Sequence, residues 1–136
     1  MQISINANRC EPSPMRKFHP LAVAAKKDGK KIYHLNIGQP DLPTPPAYYE
    51  AIHKFADRTL EYEASPGRPE LIHAVQNYYK ELGVDLEDND ILITTGGSEA
   101  LLFTCLSILD PYTEVIIPEP YYPNYTTFVH AAGGVI

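Results

Sequence analysis

Apolar positions along the chain fall into short periodic stretches separated by glycine and proline breaks, and the spacing within each stretch names an element. Before about residue 30 there is a polar, Pro-containing arm (Asn6, Asn8, Arg9, Pro12, Pro14), followed by a short helix. Pro20 fits its first turn, Leu21 to Lys27 form its body, and Asp28-Gly29 close it. Ile32, Tyr33, Leu35 and Ile37 predict a short extended segment running into the loop Gly38-Gln39-Pro40-Asp41, held by Pro43, Pro45 and Pro46. Pro46 can serve as the first residue of a helix over roughly Ala47 to Arg58, with Ile52, Phe55 and Ala56 on its inner face. After a second loop, Tyr62 to Arg68, a longer helix places Leu71, Val75, Tyr78, Tyr79 and Leu82 at helical spacing and ends at Gly83.

The texture changes after an acidic, solvated turn, Asp85 to Asp90. Ile91 to Thr95 is a β-branched run, Gly96-Gly97-Ser98 a tight turn, Glu99 to Leu109 an apolar helix, and Val115-Ile116-Ile117 a second β-branched run. A further helix follows Tyr121 to Pro123 and ends at Gly133-Gly134, where Val135-Ile136 begin another strand. This alternation predicts an α/β fold: arm and small-domain elements, then the first part of a mostly parallel sheet. A strand that begins two residues before the last one is expected of a truncated sheet, and of a piece of a longer polypeptide.

Composition narrows the function classes. The 136 residues are 44% hydrophobic and 21% charged, which is ordinary globular usage and excludes wholesale disorder. Eight of the 13 prolines cluster in Pro40 to Pro46 and Pro111 to Pro123, as expected of loops with fixed backbone angles. A net charge of −6 would repel a phosphate backbone, so nucleic acid is not an expected partner. Neither Cys10 and Cys105 nor the five histidines have metal-ligand spacing; Cys105 reads as helix packing, and His53 and His73 as surface residues. No apolar run reaches the roughly 20 residues of a membrane span, and Met1 to Arg9 lacks the apolar core of a signal peptide. A cytoplasmic protein with no membrane partner is expected.

The stretch Thr94-Thr95-Gly96-Gly97-Ser98-Glu99-Ala100 carries the most chemistry. A strand feeding a helix through two glycines lets backbone amides approach an anion at the helix N-terminus, and the Ser98 hydroxyl adds a donor. The same residues could also form nothing more than a tight turn with Ser98 as an N-cap.

Three further segments stand with this turn in a familiar order: Leu35-Asn36-Ile37-Gly38-Gln39-Pro40-Asp41, Tyr62-Glu63-Ala64-Ser65-Pro66-Gly67-Arg68-Pro69-Glu70-Leu71, and Pro118-Glu119-Pro120-Tyr121-Tyr122-Pro123-Asn124-Tyr125. With them the chain, from about residue 16 to its end, resembles the aspartate aminotransferase superfamily, class I/II aminotransferases of fold type I that use pyridoxal 5′-phosphate (PLP). The resemblance implies an N-terminal arm, helix and substrate loop in residues 1–45, and the start of a PLP-binding large domain in 46–136.

The resemblance also implies roles. Gly97 and Ser98, flanked by Gly96 and Glu99, match the turn that cradles the cofactor phosphate, and Tyr122 matches the aromatic residue that stacks on the pyridine ring. Tyr62 matches the tyrosine that reaches the cofactor phosphate of the neighbouring subunit in a homodimer, and Gly38 the glycine whose amide faces the substrate carboxylate. The implied activity moves an amino group between an amino acid and a 2-oxo acid.

PLP chemistry also requires a Schiff-base lysine, an acid beside the pyridine nitrogen and usually an arginine for the substrate carboxylate. In the resembling enzymes these come from later segments. None of Lys17, Lys26, Lys27, Lys30, Lys31, Lys54 and Lys80 has a suitable setting, and Arg9, Arg16, Arg58 and Arg68 match no substrate-binding arginine. No catalytic residue is therefore assigned, and the chain alone is expected to be inactive until the remainder of the enzyme or a complementing polypeptide joins it. The rival readings are a PLP lyase or synthase of the same fold, and a non-enzymatic remnant or interaction module. A nucleotide binder would need a G-x-G-x-x-G or P-loop pattern, which Gly96-Gly97-Ser98 does not supply.

Overall fold

Several helix ends in this protein are set by proline at the start or glycine after the end. A computed structural model describes residues 2–56 and 59–136. Among them are helices α1 (Ile5–Asn8), α2 (His19–Lys27), α3 (Pro46–Lys54), α4 (Pro69–Glu81), α5 (Gly97–Ile108) and α6 (Asn124–Ala131). Proline occupies the first or second position of α2, α3 and α4, where its missing N–H would have had no intrahelical partner anyway. Three helices end in the same way. Gly29, Gly83 and Gly133 follow α2, α4 and α6 at φ 78°, 79° and 89°. Each donates to the carbonyl three residues back, and the next residue donates to the one five back: Lys30 to Ala25 at 3.0 Å, Val84 to Tyr79 at 3.0 Å, Gly134 to Val129 at 2.9 Å. This double bond satisfies carbonyls that the helix end would otherwise leave bare, and its left-handed residue favours glycine.

Two compact units result, Met1–Asn36 with Thr94–Ile136, and Ile37–Ile93. In the first, α5 and α1 both pack on α6. The polar arm expected from the sequence contains α1, whose N-cap Ser4 accepts from the Ala7 amide at 3.2 Å. From it Arg9 donates through Nη2 to the Gly134 carbonyl at 3.1 Å, so the arm is tied to the end of α6. In the second unit, Asp88–Asp90 form a single 3₁₀ turn closed by a reciprocal capping box with Glu87, and Gln76 of α4 donates to the Leu86 carbonyl at 3.2 Å. The acidic turn is therefore ordered by its own carboxylates.

Of the expected sheet, the described residues form one parallel rung, Glu114 with Val135. The Val135 amide donates to Thr113 at 2.9 Å and the Val115 amide to Val135 at 2.8 Å, so the chain around Glu114 and that at Val135 run parallel at this rung. Ile91 to Thr95 has no ladder partner among the described residues, although the Ile93 amide donates to the Pro66 carbonyl at 2.9 Å.

Burial departs from expectation. The inner face expected on α3 is open to solvent, with Ile52 at 54% and Phe55 at 49% exposure. The helix also stops at Lys54, because Phe55 is extended at φ −67°, ψ 109°; the expected end at Arg58 lies outside the described residues. The buried apolar side chains among the described residues are Ile72 and Val129, and neither is fully closed off from solvent. The chain exposes 12198 Å², against about 7,100 Å² for a globule of this mass and about 8,600 Å² for two of half the mass. Amphipathic faces are thus formed in sequence and left uncovered within these residues.

Two consequences can be measured. Gly67 sits at φ +116°, and a Cβ there would lie 2.6 Å from Ile93 Cβ. Gly67→Ala should therefore lower unfolding stability in urea by about 3 kcal/mol, combining backbone strain and overpacking, whereas Gly38→Ala, with no atom within 4 Å, should change it by less than about 1 kcal/mol. Burial pushes the Cys105 thiol on α5 above its ordinary range. The fold favours the neutral thiol, so this contribution to stability is present at lower pH and is lost as pH rises through the raised value. Iodoacetamide should label native Cys105 more slowly, and with a half-maximal rate at higher pH, than the same thiol in concentrated urea.

Candidate functional site

The Gly96 turn is locked from three directions. The Gly96 amide donates to the Thr94 carbonyl at 2.8 Å, and the Thr94 hydroxyl donates back to the Gly96 carbonyl at 3.0 Å. Glu99, the third residue of α5, folds its carboxylate back to accept the Thr95 amide at 2.5 Å. Gly96 itself takes φ 85°, ψ 167°, a region reserved for glycine. The alternative in which Ser98 caps the helix is not what forms: Gly96 is the N-cap, no side chain caps it, and Ser98 is the second helical residue.

This geometry frees donors. Among the described residues no acceptor meets the amides of Gly97, Ser98 or Glu99, nor the Ser98 hydroxyl. A Cβ built on Gly97 would meet no atom within 4 Å, so the space beside Gly97 is open. Successive free N–H groups at the positive end of a helix dipole suit a tetrahedral oxyanion. The dipole contributes about 0.3 to 1 kcal/mol at an exposed site, so the hydrogen bonds must carry most of the binding.

Tyr122 lies two residues before α6, the helix on which α5 packs. Its hydroxyl accepts from Asn124 Nδ2 at 2.9 Å, and its ring meets Tyr125 edge-on at 5.7 Å between centroids. The side chain is exposed. Gly96, Gly97, Ser98, Glu99 and Tyr122 all belong to the first unit.

Gly38 and Tyr62 belong to the second. Gly38 is exposed, with nothing within 4 Å of its missing Cβ. Tyr62 is fully exposed. The turn after it is fixed by the Gly67 amide donating to Ala64 at 2.9 Å and by Arg68, which pairs with Glu63 at 3.3 Å and Glu70 at 3.6 Å. These ion pairs are solvent-exposed, so each is worth no more than about 1 kcal/mol.

One feature was not singled out from sequence. Arm and α6 enclose a cleft of about 730 Å³ lined by Arg9, Glu11, Ser13, Tyr121, Asn124 and His130, and the Ser13 hydroxyl is buried there without a hydrogen-bond partner. The signal was available in the two proline-bearing segments, Pro12 to Pro14 and Pro118 to Pro123, but their approach is a matter of tertiary structure. All seven lysines are exposed.

Comparison with known proteins places these features in a family. The family model described as aminotransferase class I and II matches residues 30–136. An aspartate aminotransferase of Rhizobium meliloti (strain 1021) is 35% identical over 127 residues, covering 90% of this chain and 30% of that protein. A (5-formylfuran-3-yl)methyl phosphate transaminase of Methanocaldococcus jannaschii is 37% identical over 115 residues, covering 83% of this chain and 31% of that protein. Among solved structures, a double mutant of Thermus thermophilus aspartate aminotransferase superposes with TM-score 0.90 at 31% identity, over 99% of this chain and 36% of the other. The chain thus spans about a third of the length of these relatives.

Proposed function

Because the chain belongs to the class I and II aminotransferases, we propose that it is the N-terminal part of an enzyme that moves an amino group between an amino acid and a 2-oxo acid, using pyridoxal 5′-phosphate. The observation that carries this reading is the set of free amides of Gly97, Ser98 and Glu99 beside the Ser98 hydroxyl at the start of α5. Four donors on one turn, with no Cβ at Gly97 to obstruct approach, fit a phosphate group.

In this reading Gly97, Ser98 and the backbone of Glu99 hold the phosphate, and Gly96 supplies the backbone angle that aims them. Tyr122 would stack on the pyridine ring and limit the access of water to it. Bound there, the cofactor supplies the electron sink and carries the amino group between the two half-reactions. Gly38 offers its amide to the substrate carboxylate, and Tyr62, standing clear of its own chain, donates to the phosphate of a second subunit in a homodimer. The sheet of which Glu114 and Val135 form one rung is completed, on this reading, by strands from outside these residues, with the cup at its carboxyl edge.

None of the seven exposed lysines stands at the cup-forming turn, so no proton-shuttling group is assigned here. Amino transfer is proposed to need a lysine from outside residues 1–136. The names of the relatives cover aspartate, prephenate and a furan phosphate as substrates, which supports the reaction class and no particular amino acid.

Gly97→Ala separates this reading from a purely structural turn. Gly97 opens α5 and its missing Cβ faces open space, so alanine should leave urea stability unchanged or raise it by up to about 1 kcal/mol. Affinity for pyridoxine 5′-phosphate, followed by fluorescence titration, should fall at least about ten-fold, equivalent to 1.4 kcal/mol. Equal affinities of parent and variant would remove the turn from the cofactor site, and absence of binding by the parent would remove the cofactor.

A further inference from the structure

The proposed phosphate cup includes a carboxylate that a dianion would not choose as a neighbour. Glu99 is the third residue of α5, one of the three whose amides are free. A glutamate at this position commonly reaches back to the N-cap amide. Here the N-cap amide is already taken by the Thr94 carbonyl, and Glu99 Oε2 accepts from Thr95, one residue further out. Its charge is thereby turned from the helix axis toward the preceding strand.

Three bonds now bear on one turn. The Thr94–Gly96 exchange, amide to carbonyl and hydroxyl to carbonyl, closes the turn on itself. Through the Thr94 carbonyl it also holds the planar peptide between Thr94 and Thr95, whose N–H faces the opposite way and still needs an acceptor. The Glu99 carboxylate supplies that acceptor and joins this peptide to the first helical turn. Gly96, at φ 85°, has no Cβ to restrain it, so without this link the turn would have the widest conformational choice of any residue type.

Resting on the coenzyme reading above, we infer that Glu99 is a positioning residue: by accepting the Thr95 amide its carboxylate pre-sets the Gly96 turn, so that the amides of Gly97, Ser98 and Glu99 are already aimed when phosphate arrives. The side chain makes no phosphate contact in this role; its backbone amide does. What matters is the acceptor and not the charge. Glutamine keeps an acceptor oxygen and sheds the charge, whereas alanine loses both.

The test compares the full-chain parent, Glu99→Gln and Glu99→Ala in their affinity for pyridoxine 5′-phosphate and for pyridoxine, together with amide hydrogen exchange at Thr95. Glu99→Ala should weaken the phosphate ester about five-fold, the equivalent of one hydrogen bond, and leave pyridoxine unchanged. Its Thr95 amide should lose protection. Glu99→Gln should keep that protection and bind the phosphate ester at least as well as the parent. Equal losses in both variants would overturn the inference, since charge would then be the cause. A loss shared by pyridoxine would also overturn it, because the effect would not be confined to the phosphate. Failure of the parent to bind the phosphate ester would instead bring down the coenzyme reading and this one with it, an outcome distinct from either pattern among the variants.

Discussion

Three consecutive amides at the start of α5 have no acceptor among the described residues, and the functional reading depends on how the sequence keeps them so. A helix start ordinarily acquires a capping oxygen from Ser, Thr, Asp or Asn. Gly96 in the cap position has none, Ser98 lies two residues too late to supply it, and Glu99 has turned back to Thr95. Each nearby polar side chain that could have satisfied the helix start is displaced by one or two positions from where it would do so. Leaving such donors unpaired costs little in water, since solvent serves them. It leaves a site where an incoming oxyanion replaces water without breaking a protein hydrogen bond.

The parts of the fold legible in sequence are those decided locally. Gly29, Gly83 and Gly133 mark the ends of α2, α4 and α6, because a left-handed residue after a helix is a requirement of the last turn alone. Pro46 marks the start of α3 for the same kind of reason. Strands are different. Ile91 to Thr95 has the composition of a strand, but a ladder requires a partner that composition cannot name, and only Glu114 and Val135 find one among these residues. The inner face of α3 shows the same limit. Ile52 and Phe55 have the periodicity of a buried face and are half exposed, since periodicity prepares a surface for burial without providing its cover.

Legibility of the site divides along the same line. The Gly96-Gly97-Ser98 turn could be read from neighbouring residues, although the capping role considered for Ser98 passed to Gly96. Tyr62 and Tyr122 are two of ten tyrosines, and nothing in their local sequence distinguishes them; only the order of motifs along the chain did so. The cleft between arm and α6 was not legible, because Ser13 and His130 are brought together by the packing of α1 on α6 and by Arg9 on the Gly134 carbonyl. α1 itself was hidden in a polar segment, with Ser4 as its only local signal.

A cup made of backbone places few demands on the side chains around it. Amides at a helix start are supplied by any residue except proline, so a phosphate site of this kind constrains φ and ψ at Gly96 and the absence of a Cβ at Gly97, and little else. Side chains around it are free to change while the backbone path is retained. Substrate choice, in contrast, must be made by side chains, and relatives of nearly equal identity to this chain have names that point to unrelated substrates. On the proposed reading, the local backbone bears on the reaction class, and the choice of amino acid falls to side chains that the cup does not constrain.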